Sequence, residues 1–254
     1  CVRPALRRQS ILAWREKNHT GYISDLSAAL EVSAMTIRRD LQRMAAQGLV
    51  TPVRGGAVLN YGAAVLYSQH FRQTKLPEEK QRIAAYCASL VTEGSSVFID
   101  CGSTAERIAE GLRDKKNITI MTNSLDAAQI LSSAKNIKFI MVPGIFQSSI
   151  RGFMGQFTSD FMTRFHIDIL FLGANGLDAL HGLTSPDYTD AETKRSLIAQ
   201  AKKLVVATDH TKLDKNYFVR IAALKEIDIL VTDQAADPAV IEALKTELAE
   251  IVLV

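Results

Sequence analysis

No apolar run in this 254-residue sequence reaches the roughly 18 residues that a membrane-spanning helix needs, which argues against an integral membrane protein. The first residues, Cys1-Val2-Arg3-Pro4, lack the apolar stretch of a secretory signal, so the expected compartment is the cytoplasm. Cysteine is scarce: Cys1, Cys87 and Cys101 are too few and too scattered for a disulfide framework or a zinc site. His19, His70, His166, His181 and His210 show no metal-ligand spacing, so no metal is expected. There is no Gly-Lys dipeptide, which excludes a Walker-type nucleotide loop. There is no Gly-x-Gly-x-x-Gly, which argues against a dinucleotide fold, and no cofactor is expected. Internal repeats and low-complexity tracts are absent too. What remains is the composition of an ordinary globular protein, long enough for one large or two ordinary domains.

Charge is unevenly placed. Residues 1–58 carry nine Lys/Arg against four Asp/Glu, whereas the rest of the chain carries 21 basic and 23 acidic residues. A small basic end on a near-neutral body suits a polyanion-binding module attached to a second domain.

Local pattern divides the chain in the same place. Leu6–Lys17 reads as a helix with Trp14 in its core, and apolar residues at Leu26, Leu30, Ile37, Leu41 and Met44 mark two more. Ser33 is a natural N-cap for a helix beginning at Ala34, and Gly48 a natural stop. Two short extended runs flank Gly55-Gly56, the pattern of a β-hairpin. Two helices joined by a tight turn form a helix-turn-helix, whose outer face here carries Met35, Thr36, Arg38, Arg39 and Arg43. Arginine pairs with guanine and hydroxyls bond to bases or phosphates, so this face fits a DNA major groove. The competing reading is a solvated surface helix whose arginines are tied to Asp40 and Glu16.

Residues 59–76 show no clear period and read as a linker. Pro77 then opens a helix, with Glu78 and Glu79 in its first turn. From there apolar runs at 97–99, 118–121, 139–142, 167–172, 204–207, 227–231 and 251–254 alternate with helical segments. Continuous apolar strands separated by helices imply a mostly parallel sheet covered on both faces, a doubly wound α/β domain over 77–254.

Ligands in such sheets bind at the C-terminal strand ends. Asp100-Cys101-Gly102-Ser103-Thr104 ends one strand and opens a helix, a small anion site made of backbone N–H groups and two hydroxyls. Ser103-x-x-Glu106 also matches a capping box, which needs no ligand. Thr122-Asn123-Ser124 and Gly173-Ala174-Asn175-Gly176 end two further strands, and Lys212, after Asp209, adds a cation suited to phosphate. Cys101 sits in the same turn, either as a reactive thiol or as a small buried apolar group.

The run Val32-Ser33-Ala34-Met35-Thr36-Ile37-Arg38-Arg39-Asp40-Leu41, followed by Arg54-Gly55-Gly56-Ala57, resembles the winged helix-turn-helix of the DeoR family of bacterial transcriptional regulators. The resemblance implies DNA contacts from Ser33, Met35, Thr36, Arg38, Arg39, Arg43, Arg54 and Gly55. Arg54 replaces the family's usual His, which favours a phosphate contact, and Glu31 replaces a common Gly, which implies backbone strain in the turn. The motifs Asp100-x-Gly-Ser-Thr, Thr122-Asn123-Ser124, Glu192-x-Lys194-Arg195 and Asp209-x-x-Lys212 follow in family order. They imply an effector domain similar to ribose-5-phosphate isomerase, with phosphate at Gly102, Ser103 and Thr104. Sugar hydroxyls are then expected near Asp100, Asn123, Asn175, Glu192 and Lys194, in a pocket also edged by Thr122, Ser124, Gly173 and Lys212. Thr189-x-x-Glu192 offers a capping-box alternative for Glu192. Val142-Pro143-Gly144 departs from the family's Gly-Gly.

The resemblance thus implies a repressor of a carbohydrate-utilisation operon, released from operator DNA by a phosphorylated sugar. A helix-turn-helix reads a half-site, so a dimer or tetramer is expected. The alternative is a sugar-phosphate isomerase with an added DNA-binding module. Isomerisation needs a carboxylate base, and where the isomerase carries aspartates this chain has Leu172 and Asn175. No enzyme activity is therefore expected.

Overall fold

Short-range signals decide the N-terminal unit. The computed structural model describes Arg7, Ser10, Ile11, 21–46, 50–59 and 69–254. The chain forms two compact units, Cys1–Tyr67 and Ser68–Val254. In the first, strand β1 (Gly21–Tyr22) leads into helices α1 (Ile23–Ala29) and α2 (Ala34–Ala46). Ser33 accepts a hydrogen bond from the Thr36 N–H at 3.2 Å and so caps α2. Glu31, in the turn between the helices, adopts φ 51°, the left-handed backbone that a glycine would take without strain. Leu26, Ile37, Leu41 and Met44 are buried between the helices. Strands β2 (Val50–Val53) and β3 (Gly56–Leu59) form the hairpin, turning at Arg54-Gly55, and β1 pairs on the far side of β3. Arg7, Ser10 and Ile11 are helical, as the reading of Leu6–Lys17 requires; Trp14 and Gly48 lie outside the described residues.

The second unit starts within the stretch read as a linker. Residues 60–68 lie outside the described residues, but Gln69–Thr74 form helix α3, followed by α4 (Pro77–Ser89). The succession then runs β4 (Ser96–Ile99), α5 (Ser103–Leu112), β5 (Ile118–Thr122), α6 (Leu125–Leu131) and β6 (Ile137–Met141). A hairpin of β7 (Ile145–Gln147) and β8 (Gly152–Met154) precedes α7 (Gln156–Met162) and β9 (Ile169–Leu172). After β10 (Gly176–Asp178), β11 (Gly182–Ser185) and α8 (Tyr188–Ile198) come β12 (Leu204–Ala207), β13 (Val219–Ala222) and β14 (Ile229–Thr232). Helix α9 (Pro238–Leu244) and β15 (Ile251–Leu253) end the chain.

Seven strands make one sheet in the order β15-β14-β12-β9-β4-β5-β6, and every pairing in it is parallel. Its side chains alternate between two cores. Phe98, Leu170, Val206 and Leu230 face α7, α8 and α9, while Val97, Ile99, Phe171, Val205 and Val231 face α4, α5 and α6. Burial on both faces explains why these strands read as unbroken apolar runs. The antiparallel elements, hairpin β7–β8 and the small sheet β10-β11-β13, were not evident in the sequence. They are three- and four-residue strands with Gly at their turns and ends, too short to show a period.

From β4 the chain moves outward through β5 and β6, then returns to β9 on the other side of β4 and moves away. That reversal creates a crevice at the C-terminal ends of β4 and β9, where Asp100–Gly102 and Gly173 lie.

Candidate functional sites: a DNA-reading face and a switch-point pocket

In the N-terminal unit the outer face of α2 is polar and open. Arg38, Arg39 and Arg43 are exposed, as are Ser33 and Met35, and Thr36 is half-buried. Arg54 and Gly55 are exposed on the hairpin turn. The proposed tie to Asp40 does not occur, because Asp40 is buried and accepts from Arg7 Nε at 2.6 Å. Arg38, Arg39, Arg43 and Arg54 form no ion pair among the described residues. They therefore remain available to phosphates and base edges. Exposed Tyr22 leans on the hairpin turn: a Cβ on Gly55 would sit 3.5 Å from its ring.

In the second unit, the crevice at the strand reversal is assembled from four directions. Asp100, at the end of β4, is buried, and Lys194 from α8 places Nζ 3.5 Å from its Oδ2. That oxygen is sealed from solvent and accepts no hydrogen bond among the described residues. Lys194 also pairs with Asp190 at 3.0 Å, and Asp190 accepts from Ser185 Oγ at 2.7 Å. Burial alone would pull the Lys194 ammonium down, but Asp190 and Asp100 more than reverse this, so it stays charged. Burial pushes the Asp100 carboxyl up, against the opposing pull of Lys194. The Cys101 thiol is likewise raised by burial, which fits the unreactive reading of that residue.

Gly102 has φ 137° and is itself the N-cap of α5, with no side-chain cap bond. The capping box read in Ser103-x-x-Glu106 is not formed. Ser103 and Thr104 instead lie buried within the first turn of α5, at the mouth of the helix dipole. On the neighbouring strand, Asn123 is buried and donates to the Phe153 carbonyl at 2.9 Å, while its own Oδ1 has no partner among the described residues. Phe153 N–H returns a bond to the Asn123 carbonyl at 2.8 Å, so hairpin β7–β8 is clamped over this edge. Gly152 makes that approach possible, since an added Cβ would lie 2.1 Å from Cys101 Sγ.

Thr122 and Ser124 have structural roles as well. Thr122 Oγ1 donates to the Ile99 carbonyl at 2.6 Å, and Ser124 caps α6 by accepting from the Ala127 N–H at 3.2 Å. Gly173 and Asn175 are half-buried at the end of β9. Glu192 is not brought into the group: it pairs with Arg195 on the outer side of α8. Its capping box is also unformed, because Asp187 caps α8 by accepting from the Asp190 N–H at 2.8 Å. Lys212 ends the single-turn 3-10 helix His210–Lys212 after β12 and is half-buried. Burial lowers its pKa, against the opposing pull of Asp209 and with the repulsion of Arg72.

The residue that sequence reasoning missed is Arg72, on α3. Its guanidinium makes no hydrogen bond among the described residues, and Nε and Nη2 are sealed from solvent. It lies within electrostatic reach of Asp190, Cys101, Glu106 and Asp100, yet burial outweighs their support and lowers its pKa. Lys80 fixes its backbone: buried on α4, it donates through Nζ to the carbonyls of Arg72 and Lys75, each at 2.5 Å. Burial brings Lys80 down to about 8. Gln73 ties α3 to α5 by donating to Glu106 at 2.5 Å. A six-residue helix without an apolar period leaves little for a sequence pattern to detect.

The crevice therefore gathers a cationic end, with Arg72, Lys212 and the first turn of α5, and an acceptor end at Asp100 and Asn123. It suits a small ligand with an anionic group at one end and hydroxyls at the other. No group of three or more His, Cys, Asp or Glu suited to a metal occurs among the described residues, and no helix there is long and apolar enough to cross a membrane.

Comparison with known proteins agrees with both halves. Residues 7–62 match the model of the DeoR-like helix-turn-helix domain, and residues 75–234 match that of the DeoR C-terminal sensor domain. The glycerol-3-phosphate regulon repressor of Escherichia coli K12 is 34% identical over 226 residues, 88% of this chain and 89% of that protein. The HTH-type transcriptional regulator IolR of Bacillus subtilis is 30% identical over 232 residues, 91% of this chain and 92% of that protein. Among solved structures, ribose 5-phosphate isomerase A of Methanocaldococcus jannaschii aligns over 54% of each chain with 17% identity and a TM-score of 0.41. The chain belongs to the DeoR family of DNA-binding transcriptional regulators.

Proposed function

We propose that this protein is a cytoplasmic repressor of carbohydrate-utilisation genes, released from its operator by a phosphorylated sugar or polyol. The regulatory half of that reading rests on the family and on the exposed arginines of α2 and the hairpin turn, which form no ion pair among the described residues. The effector half rests on one observation: Nε and Nη2 of Arg72 are sealed from solvent with no hydrogen-bond partner among the described residues, on a helix packed against α5. An anion held by Arg72 and the Gly102–Thr104 turn would satisfy it, and Asp100 Oδ2 and Asn123 Oδ1, which accept no hydrogen bond among the described residues, would accept from ligand hydroxyls. Glycerol-3-phosphate, named in the relatives above, has this chemistry, as do sugar phosphates.

Catalysis is not part of the proposal. Leu172 and Asn175 stand where the isomerase resemblance puts aspartates, and neither accepts a proton as a base. The test is operator affinity with and without a panel of sugar and polyol phosphates, paired with thermal shift. A ligand at about 100 times its Kd adds about 2.7 kcal/mol of stability. A panel in which no phosphorylated compound shifts melting or operator affinity refutes the effector half. Turnover of any of them to its ketose or aldose isomer refutes the exclusion of catalysis.

A further inference from the structure

The helix that carries Arg72 is also the first element of the second unit. That unit begins at Ser68 and α3 covers Gln69–Thr74, so α3 is the element that the chain reaches first after hairpin strand β3. Six residues are too few for a helix that is stable alone, so α3 depends on what it is docked against. Polar bonds fasten it. Gln73 reaches α5 through Glu106 at 2.5 Å, and Lys80 Nζ holds the carbonyls of Arg72 and Lys75 at 2.5 Å each. Leu76, which joins α3 to α4, has φ 48°, a left-handed backbone that strains a residue other than glycine. Docking also takes Arg72 Nε and Nη2 out of solvent without giving them a hydrogen bond among the described residues. Two costs, a strained joint and an unmet guanidinium, therefore stand against the bonds that seat this helix.

We propose, building on the assignment of the effector's anion to Arg72, that α3 is a strap whose seating on α5 reports occupancy to the DNA-reading unit. An anion at Arg72 removes one of the two costs of docking, so it favours the seated helix over a released one. Gln69 lies one residue past the boundary between the units, so seating α3 fixes the point from which the chain leaves toward the DNA-reading unit. Of the groups gathered at the crevice, Arg72 alone precedes Pro77. Asp100, Ser103, Thr104, Asn123 and Lys212 follow strands β4, β5 and β12, which belong to the central sheet and its two cores. They hold the ligand in place, and only Arg72 couples it to an element at the boundary. Because the effector releases operator in this scheme, the seated strap belongs to the state of low operator affinity. By linkage, bound operator favours the released strap.

Cross-linking and amide exchange test it on the full chain. The DNA is a duplex that the wild type selects from a random pool, and the probes are the panel of sugar and polyol phosphates, glycerol-3-phosphate among them. Joining Gln73→Cys to Glu106→Cys with a short bis-maleimide, in a chain that also carries Cys1→Ser, seats α3 permanently. With no ligand, the joined chain should bind the duplex at least tenfold more weakly than the same chain capped with N-ethylmaleimide. In the wild type, a probe that raises the melting temperature should slow exchange at amides 70–76 at least tenfold, and the same probe should leave exchange in Arg72→Leu unchanged. Equal affinity of the joined and capped chains overturns the proposal, as does unchanged wild-type exchange at 70–76 under a probe that shifts melting. Should the cysteine pair unfold the chain, Arg72→Leu decides. With the guanidinium gone, amides 70–76 should exchange more slowly than in the wild type without ligand, and equal or faster exchange overturns the strap. If no probe shifts melting, the sugar-phosphate reading fails, while the joined chain, which needs no ligand, still decides on the strap.

Discussion

Replacing Arg72 with leucine separates a ligand-binding arginine from a structural one. In the free protein the guanidinium donates no hydrogen bond among the described residues, so truncation breaks none. Burial outweighs the carboxylates of Asp190, Glu106 and Asp100 and lowers its pKa, so its charge is a net cost to the folded state. Arg72→Leu should therefore melt at or above the wild-type temperature. With ligand the sign reverses. A charge-assisted hydrogen bond contributes about 1.5–3 kcal/mol, and a paired Arg–phosphate contact falls at the upper end. Losing about 3 kcal/mol weakens effector binding roughly 150-fold. Arg72→Lys keeps the charge without the fork and should lose about tenfold. The assay is the effector concentration that half-releases operator, measured by fluorescence anisotropy beside a thermal melt. Release by Arg72→Leu at the wild-type concentration would refute the assignment of the anion to this residue. A variant destabilised by more than about 2 kcal/mol would show a structural role instead.

The other predictions concern separate parts of the molecule. Ser103→Asp should fold and bind operator normally, since Gly102 rather than Ser103 caps α5, yet fail to release it; Thr104→Val should need roughly tenfold more effector, and wild-type response in both would move the anion elsewhere. Arg54→Ala should make the slope of log affinity against log salt shallower by about 0.9 for each phosphate lost, and an unchanged slope would remove the hairpin turn from the DNA backbone. Lys80, held at about 8, is charged below that pH and neutral above it, so effector affinity should fall as pH rises through 8; from about 8 to its unfolded value the unfolded chain binds the extra proton, so the same group makes the free protein more stable with rising pH. Lys80→Arg should abolish the step in affinity, which titration calorimetry across that window would register. Gly152→Ala places a methyl 2.1 Å from Cys101 Sγ and should cost about 1–3 kcal/mol in a denaturant melt, with much of it restored by adding Cys101→Ala.

The sequence by itself determined whatever depends on neighbours in the chain. Ser33 capping α2, the Gly55 turn, the strained Glu31 and the unbroken apolar runs of the parallel strands are set within a few residues, and each was legible. The strand ends Asp100–Thr104, Thr122–Ser124 and Gly173–Asn175 were legible for the same reason, because a parallel sheet places all its C-terminal ends on one edge. Tertiary structure decided which side chains on that edge are free. Ser103-x-x-Glu106 and Thr189-x-x-Glu192 satisfy the spacing of a capping box, yet Gly102 at φ 137° and Asp187 take the N-cap positions, and Glu192 turns outward to Arg195. Thr122 and Ser124 have hydroxyls of the right kind, but Ile99 and Ala127 engage them. Arg72 shows the limit most sharply. Nothing within a few positions marks it as a ligand group. It is proposed as one because α3 folds onto α5, Lys80 holds its carbonyl, and carboxylates from 28 to 118 residues further along the chain surround a guanidinium that none of them bonds. Backbone pattern reports local geometry, whereas the unmet valence of a buried polar group is a property of everything packed around it.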